Sequence, residues 1–408
     1  MGAETVSTRT CIVGGGPAGM MLGLLLARAG VDVLVLEKHA DFLRDFRGDT
    51  IHPSTLEVMH ELGLLEDLLK LPHQEVPQLT AQLGDLTVTF LDFTQLPTRC
   101  QFIAFMPQWD FLNFLAERGA RYPSFKLRMR AEVTGLIEDA GRVVGVRATT
   151  SDGLLEVHAN LVVAADGRHS VVRAKAGLKV DELGAPMDVL WFRLSRRPGD
   201  PDETMGRFDM GRIFIMINRG DYWQCGFVIP KGSIKQIQER GLQAFRDSVA
   251  QVAPFAADRV GELREWEAVS LLTVRVDRLP QWYRPGLLCI GDAAHAMSPI
   301  GGVGINLAIQ DAIAAANLLA APLRTGQATE GQLCRVQRRR ELPTRITQWG
   351  QVFIQNRVIT RVLSSVDKLT PPLALRLLAR FPFLRRISAR LVGIGFRPEH
   401  VKTPAILR

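Results

Sequence analysis

Residues Thr10–Gly30 read TCIVGGGPAGMMLGLLLARAG, and the fold follows from how this stretch is read. Cys11–Val13 make an apolar strand, Gly14, Gly16 and Gly19 fall at the G-x-G-x-x-G spacing, Met20–Ala29 have the pattern of a helix, and Val31–Leu36 make a second buried strand ending in Glu37. Each glycine has a mechanical reason. Gly14 allows a tight turn, Gly16 lets the backbone approach a pyrophosphate, and Gly19 lets the helix pack closely on the strand. The helix N-terminus offers unpaired N–H groups and a positive dipole end to phosphates. Glu37, eighteen residues after Gly19, is placed to accept hydrogen bonds from a ribose diol, and its charge would repel a 2′-phosphate. The expected ligand of this βαβ unit is an adenine dinucleotide, FAD or NAD, rather than NADP.

The chain has 408 residues, 47% of them hydrophobic, enough for a large core and two or three structural units. Its start is short and polar rather than a signal peptide, and its longest apolar run, Met20–Ala27, is too short to cross a bilayer. A soluble, cytoplasmic protein is the expectation. Cys11, Cys100, Cys225, Cys289 and Cys334 are scattered without a C-x-x-C pair, so neither disulfides nor a metal site is indicated. The net charge of +8 is uneven: residues 331–408 carry 16 Lys and Arg against 3 Asp and Glu, while the first 330 residues carry 34 against 39. A local excess interleaved with Leu, Phe and Ile excludes a nucleic-acid reading of the whole chain.

Along the chain, a helix is predicted over Pro53–Leu69 with Ser54 and Glu57 forming a capping box, then short antiparallel strands within Pro77–Pro97, and a helix over Met106–Ala120. Strands follow at Lys126–Leu136 and Arg142–Thr150, in a meander ending near Glu156. Leu161–Asp166 (LVVAAD) and Gly286–Gly291 (GLLCIG) read as further buried parallel strands, the latter followed by a helix over Gly304–Leu319. Between them the texture is antiparallel: strand candidates Val189–Arg193, Thr204–Phe208, Arg212–Asn218 and Trp223–Ile229, then a helix Ile234–Val252. The expected class is α/β: a Rossmann-type dinucleotide-binding domain assembled discontinuously from 1–75, 99–180 and 268–330, an inserted antiparallel β-sheet substrate domain from 76–98 and 181–267, and a basic helical C-terminal extension over 331–408.

Three ordered motifs carry a resemblance to the FAD-dependent class A aromatic monooxygenases of the para-hydroxybenzoate hydroxylase fold. They are GGGPAG with Glu37, LVVAADGRHSVVRAKAGL (Leu161–Leu178), and LCIGDAAHAMSPIGGVGINLAIQDA (Leu288–Ala312). The resemblance implies FAD as cofactor. The cofactor-contacting candidates are Gly14, Gly16, Pro17, Ala18, Gly19, Glu37, Lys38, Arg47, Gln108, Val133, Asp166, Gly291, Asp292, Gly302, Gly304, Ile305 and Asn306. Asp292 is suited to a ribityl hydroxyl, and Pro299–Asn306 supplies small residues and a helix N-terminus where reduced flavin would need N–H donors. Asp166 is similar to the aspartate that orders the cofactor in this family and is equally suited to capping the helix that follows it. Arg44 is expected at the surface, and His295 is expected to be a packing residue. No second nucleotide fingerprint follows, so the resemblance implies that NAD(P)H binds transiently, reduces the flavin and leaves. Oxygen is then carried as a flavin C4a-hydroperoxide to an electron-rich substrate.

Pro299, Gly302 and His52 are the candidates nearest the chemistry, with a hydrogen-bonded loop role as the alternative for His52. Trp191 and Arg193 alternate to one strand face, and Phe214 and Met216 do the same on another strand. With Trp223 these are the substrate-binding candidates, and Tyr222 and Gln224 lie beside them. The W-x-W-x-I-P signature of halogenases in this fold is here Cys225-Gly226-Phe227-Val228-Ile229-Pro230, which disfavours halogenation. The expected activity is hydroxylation or epoxidation of a hydrophobic, aromatic or polyketide-like small molecule with molecular oxygen. The alternative is a membrane-associated flavin reductase or dehydrogenase of the same fold. The tail is read first as helices covering the domain interface with snorkelling arginines, and second as a peripheral contact for an anionic membrane.

Overall fold

The computed structural model describes residues 3–43, 50–83, 86–201, 204–209, 211–365 and 380–406. The first strand is Glu4–Val13, longer than the apolar run alone suggests: its outer half is exposed or half-buried and only its last four residues are fully buried. It pairs in parallel with Val33–Leu36 on one side and with Gly153–Ala164 on the other. Leu287–Cys289 extends the sheet beyond Gly153–Ala164, and Phe125–Arg128 extends it beyond Val33–Leu36. Glu132–Asp139, Arg142–Thr150 and the outer edge strand Tyr283–Arg284 complete eight strands.

Two strand boundaries differ from expectation for local reasons. The predicted strand over Lys126–Leu136 is two strands, Phe125–Arg128 and Glu132–Asp139, separated where Arg130 takes a φ of 55°. The meander and the LVVAAD strand are instead one continuous strand, Gly153–Ala164, whose first half pairs with Arg142–Thr150. Its alternating half lies between the hairpin strand Arg142–Thr150 and the half-exposed start of Glu4–Val13, and its all-buried half lies between the buried end of that strand and Leu287–Cys289, so one strand carries both sequence textures.

Helices break at glycines. The predicted helix Pro53–Leu69 is two helices, Pro53–Glu61 and Leu65–Leu68, and Gly63 between them has φ 70°. Ile234–Val252 divides likewise into Ile234–Glu239 and Leu242–Val252 at Gly241, φ 87°. These are left-handed positions that glycine fills without steric cost. The expected capping box is absent: Pro53 occupies the first helical position and His52 the cap, with no side-chain cap bond, and Glu57 accepts from the Arg99 N–H instead. Pro17–Arg28 and Gly304–Thr325 bury most of their length against the first sheet and each other. Ile300–Thr325 is long and apolar enough to cross a membrane by composition, yet 83% of its apolar window is buried inside the protein, as a core helix would be.

A seven-stranded sheet runs in the order Ser270–Leu272, Met187–Ser195, Tyr222–Pro230, Arg212–Asn218, Met205–Asp209, Gln78–Leu83, Leu86–Asp92. Its neighbours are antiparallel except for Met205–Asp209 on Gln78–Leu83. One face packs Phe192, Phe214, Met216 and Trp223 against Phe245 and Val249 of helix Leu242–Val252. The opposite face turns Trp191, Ile215 and Ile217 towards Phe93, Leu96 and Ala389. Past the first sheet, Thr329 and Gln332 form a capping box that opens the long helix Glu330–Ile354. The helix Pro382–Gly393 lies on Leu86–Asp92, where the Ser388 hydroxyl donates to the Phe90 carbonyl at 2.7 Å.

Candidate active site

Strand register brings the three motifs together. Val13 pairs with Ala164 and Ala164 with Cys289, so the segments that follow these strands emerge side by side at one edge of the sheet. A Cβ on Gly14 would lie 2.4 Å from the Ala165 carbonyl oxygen and 2.8 Å from the Asp166 Cα, and φ there is +105°. A Cβ on Gly19 would lie 2.0 Å from the Gly14 carbonyl oxygen. Gly14 and Gly19 therefore serve backbone packing. Gly16 is different: a Cβ there would meet nothing within 4 Å, and its φ of −74° and ψ of −176° are open to any residue. It caps helix Pro17–Arg28, which has no side-chain cap and no acidic residue in its first turn. Space beside uncapped N–H groups is what a pyrophosphate requires.

Glu37 is buried and does more than the sequence suggested. Its Oε2 accepts from the Gly15 N–H at 2.9 Å and its Oε1 from the His39 N–H at 3.0 Å, so the carboxylate holds the glycine turn in shape. Lys38 is exposed, Val133 is buried in the hairpin opposite Ala148, and Gln108 opens helix Gln108–Gly119. Arg47 and Arg44 lie outside the described residues.

Asp166 accepts at Oδ2 from the Val172 N–H at 3.2 Å, while Ser170, the cap itself, accepts from the Arg173 N–H at 2.9 Å. The capping expectation for Asp166 is thus shared between two side chains. Asp166 Oδ1 is buried without a hydrogen-bond partner among the described residues. Burial pushes its carboxyl pKa up, while the Ser170 hydroxyl and nearby N–H groups pull the other way. Asp292 lies 3.6 Å from Arg168 and is partly exposed. Gly291 is wedged against Ala18 and Ala308, each Cβ lying 3.2 Å from where its own would be, and its N–H donates to Asp311 Oδ2 at 3.1 Å.

The Pro299–Asn306 segment, expected to be the flavin loop, turns through Gly301 and Gly302, φ +77° and +62°, and enters helix Gly304–Thr325 without a side-chain cap. A Cβ on Gly302 would lie 2.5 Å from Thr50 Oγ1, whose hydroxyl donates to the Gly302 carbonyl at 2.8 Å. That close approach is to protein rather than to open space. Ile305 and Asn306 are buried, and Pro299 precedes the turn. Asn306 Oδ1 accepts from the His52 N–H at 3.2 Å and from the Thr55 hydroxyl at 2.7 Å, whereas its Nδ2 is buried without a partner among the described residues.

His52 is fully buried beneath this loop. Its Nδ1 sits 2.9 Å from the Val392 carbonyl, which only accepts, so that nitrogen carries the proton and Nε2 keeps a lone pair. Burial lowers the pKa to about 4, against the opposing pull of the Val392 and Gly302 carbonyls, and the ring is neutral at pH 7.

Of the substrate candidates, Trp191 alone lies on the sheet face turned towards Ile300, where it is half-buried. Arg193 is exposed with its guanidinium 4.8 Å from the Tyr222 ring centroid. Phe214, Met216 and Trp223 are at most 2% exposed in the cluster beneath helix Leu242–Val252, on the opposite face from Trp191. The structure does not bring them to the flavin loop. Ile215 and Ile217, neighbours of those residues in sequence, are on the right face.

The family described as FAD binding domain matches residues 7–349 of the chain. A 6-methylpretetramide 4-monooxygenase of Streptomyces rimosus is 34% identical over 391 residues, 95% of this chain and 93% of that protein. The chain belongs to the FAD-dependent class A flavin monooxygenases. A dialkyldecalin synthase of Streptomyces rugosporus is 30% identical over 324 residues, 76% of this chain and 64% of that protein. Among solved structures, an anhydrotetracycline hydroxylase from Streptomyces rimosus superposes with a TM-score of 0.74 at 24% identity, covering 95% of this chain and 76% of that one.

The monooxygenase fits its cofactor on features of its own. The open side of Gly16, the two uncapped helix starts at Gly16 and Val303, and the buried unpartnered atoms Asp166 Oδ1 and Asn306 Nδ2 all belong to the three motifs. Sequence reading missed Thr50, Asp311 and Arg340. The available signal was Asp311, a carboxylate in the otherwise apolar run of helix Gly304–Thr325.

Two outcomes follow from this geometry. Gly16→Val will give folded apoprotein with near wild-type thermal stability but FAD affinity lowered about tenfold or more, whereas Gly14→Val will lose about 4 kcal/mol or more of stability. Thermal melts of apoprotein with flavin titration separate the two, and equal behaviour of both variants would refute the assignment. For His52, the unfolded ring takes a proton near pH 6.5 that the folded ring refuses until about pH 4. Stability must therefore fall as pH drops through that window, and His52→Gln must flatten part of the slope. Urea unfolding at several pH values checks this, and identical slopes in both proteins would contradict it.

Proposed function

We propose that the protein oxygenates a hydrophobic, aromatic or polyketide-like small molecule by hydroxylation or epoxidation, using FAD, NAD(P)H and molecular oxygen. The observation that carries this reading is the near full-length likeness to a relative named 6-methylpretetramide 4-monooxygenase, together with a flavin-loop segment walled by apolar side chains. Gly14–Gly19 with Glu37 would hold the adenosine diphosphate end, Asp166 and Asp292 the middle, and Gly302–Asn306 the flavin end. Bound and reduced, FAD would supply activated oxygen for transfer of one atom. The chain's own contribution is placement and dryness. Trp191 beside Ile300, with Ile215 and Ile217 on the same sheet face, supplies an apolar wall that excludes water and suits an oily ring system. His52 acts as a neutral group that ties Asn306 to the helix Pro382–Gly393, with its Nε2 lone pair available to accept a hydrogen bond. In this reading 1–75, 99–180 and 268–330 hold the cofactor, 76–98 and 181–267 face the substrate, and 331–408 form the basic helical extension.

The test is oxidation of NADH or NADPH under isotopically labelled oxygen across a panel of phenols and aromatic polyketides. Product carrying one labelled oxygen is expected. NAD(P)H consumption that yields only hydrogen peroxide for every compound would favour the reductase or dehydrogenase alternative. Substrate rearranged without reductant or oxygen would favour chemistry of the kind named for the dialkyldecalin synthase relative.

Peripheral contact with an anionic membrane has one specific support. Phe383, Ile387 and Leu391 form an i, i+4, i+8 stripe on helix Pro382–Gly393, each more than half exposed, beside exposed Arg386 and Arg390. The protein is expected to sediment with anionic vesicles at low salt and to be released at high salt. Equal sedimentation with neutral and anionic vesicles would sink this reading.

A further inference from the structure

Beneath the Gly291–Asp292 turn lies a buried ionic cluster that the oxygenation chemistry does not use. Asp311 is fully buried in the third turn of helix Gly304–Thr325, and each of its hydrogen-bond partners is a donor. Its Oδ2 accepts from the Gly291 N–H at 3.1 Å and lies 2.6 Å from His295 Nε2, and its Oδ1 accepts from Arg340 Nε at 3.0 Å. His295 and Arg340 are each 1% exposed, and the Trp282 ring lies 5.0 Å from the His295 ring. A carboxylate is uniquely suited here. An asparagine would present one N–H group to a donor, whichever way it turned.

The cluster continues to the C-terminal segment. Arg340 NH1 donates to the Arg397 carbonyl at 3.3 Å and lies 3.7 Å from Glu399 Oε1, which also accepts from Arg339 Nε at 2.5 Å. The Glu399 N–H donates to Gln310 Oε1, on the residue preceding Asp311. Helix Gly304–Thr325 is thus gripped at Gln310 and Asp311 by the strap Arg397–Glu399, through Arg340, while the other side of Asp311 holds the backbone of the cofactor-facing turn.

We infer that Asp311 is a positioning residue for FAD: it fixes the Gly291–Asp292 turn, and the strap Arg397–Glu399 sets that turn from a distance through Arg340. The inference rests on the FAD reading of Gly291–Asp292. Removing a buried charged acceptor leaves its donors unpaired, so the turn must relax or pay desolvation on each ligation, and affinity falls. The strap is then part of the cofactor grip without touching the cofactor.

The experiment compares Asp311→Asn, Glu399→Gln and Asp188→Asn with wild type. Asp188 is a comparably buried carboxylate in the seven-stranded sheet, accepting from Lys231 Nζ at 2.7 Å and from the Gly232 and Val274 N–H groups at 2.9 Å, and controls for generic loss of a buried acceptor. The measurements are the FAD dissociation constant of folded apoprotein from flavin fluorescence, the apoprotein melting temperature, and the visible spectrum of bound flavin. Expected are a loss of affinity of about tenfold or more for Asp311→Asn and about threefold or more for Glu399→Gln, with altered flavin bands. Asp188→Asn should melt lower yet bind FAD as wild type does. If Asp311→Asn does not fold, Glu399→Gln against Asp188→Asn decides. Wild-type affinity in the Glu399 and Asp311 variants, or the same loss in all three, overturns the inference. A wild-type protein that binds no FAD overturns the cofactor reading and this inference with it.

Discussion

The approach of Gly14 to the Ala165 carbonyl oxygen is the contact on which the rest of the site depends. Two parallel strands in register, Glu4–Val13 and Gly153–Ala164, end at the same level, and a side chain at the turn would force them apart. Because Leu287–Cys289 is in register on the far side, the glycine turn, Asp166–Gly167 and Gly291–Asp292 all emerge along one sheet edge. Parallel strands have this property in general: the loops after them converge on one end, where ligands of open α/β sheets bind. Segments spread over some 280 positions of sequence become neighbours through backbone pairing alone.

Helix Gly304–Thr325 carries the second constraint. It packs an almost continuous apolar surface against the sheet and helix Pro17–Arg28, yet buries Asp311 among positive and N–H partners. Burial pushes the Asp311 pKa up, but His295 and Arg340 outweigh it and the carboxyl is held below its usual range. A charge so placed is costly unless every lone pair is used, and here each oxygen has a donor. Such a group lends register and orientation rather than bulk stability, and here it holds the backbone N–H of Gly291 in place.

Much of this was legible in the chain. The three buried strands, the glycine turn and the antiparallel region each stand out because covered parallel strands are uniformly apolar and half-covered ones alternate. Period-two alternation separates the faces of Arg212–Asn218 but does not say which one helix Leu242–Val252 covers: it is the face of Phe214 and Met216, which leaves Ile215 and Ile217 on the other. Glu37 was legible as a carboxylate at a strand end; that it would brace Gly15 and His39 depends on the loop path. The surroundings of His52 were not legible at all, because they are set by Val392 and Asn306 from distant stretches.

That last separation bears on how the molecule assembles. His52 meets Val392 across 340 positions and Thr50 meets Gly302 across 252. Contacts of such high contact order are entropically expensive to close and form after local helices and hairpins. The glycine-turn unit, built from neighbours in sequence, is suited to early formation, whereas the enclosure around the flavin loop must be late.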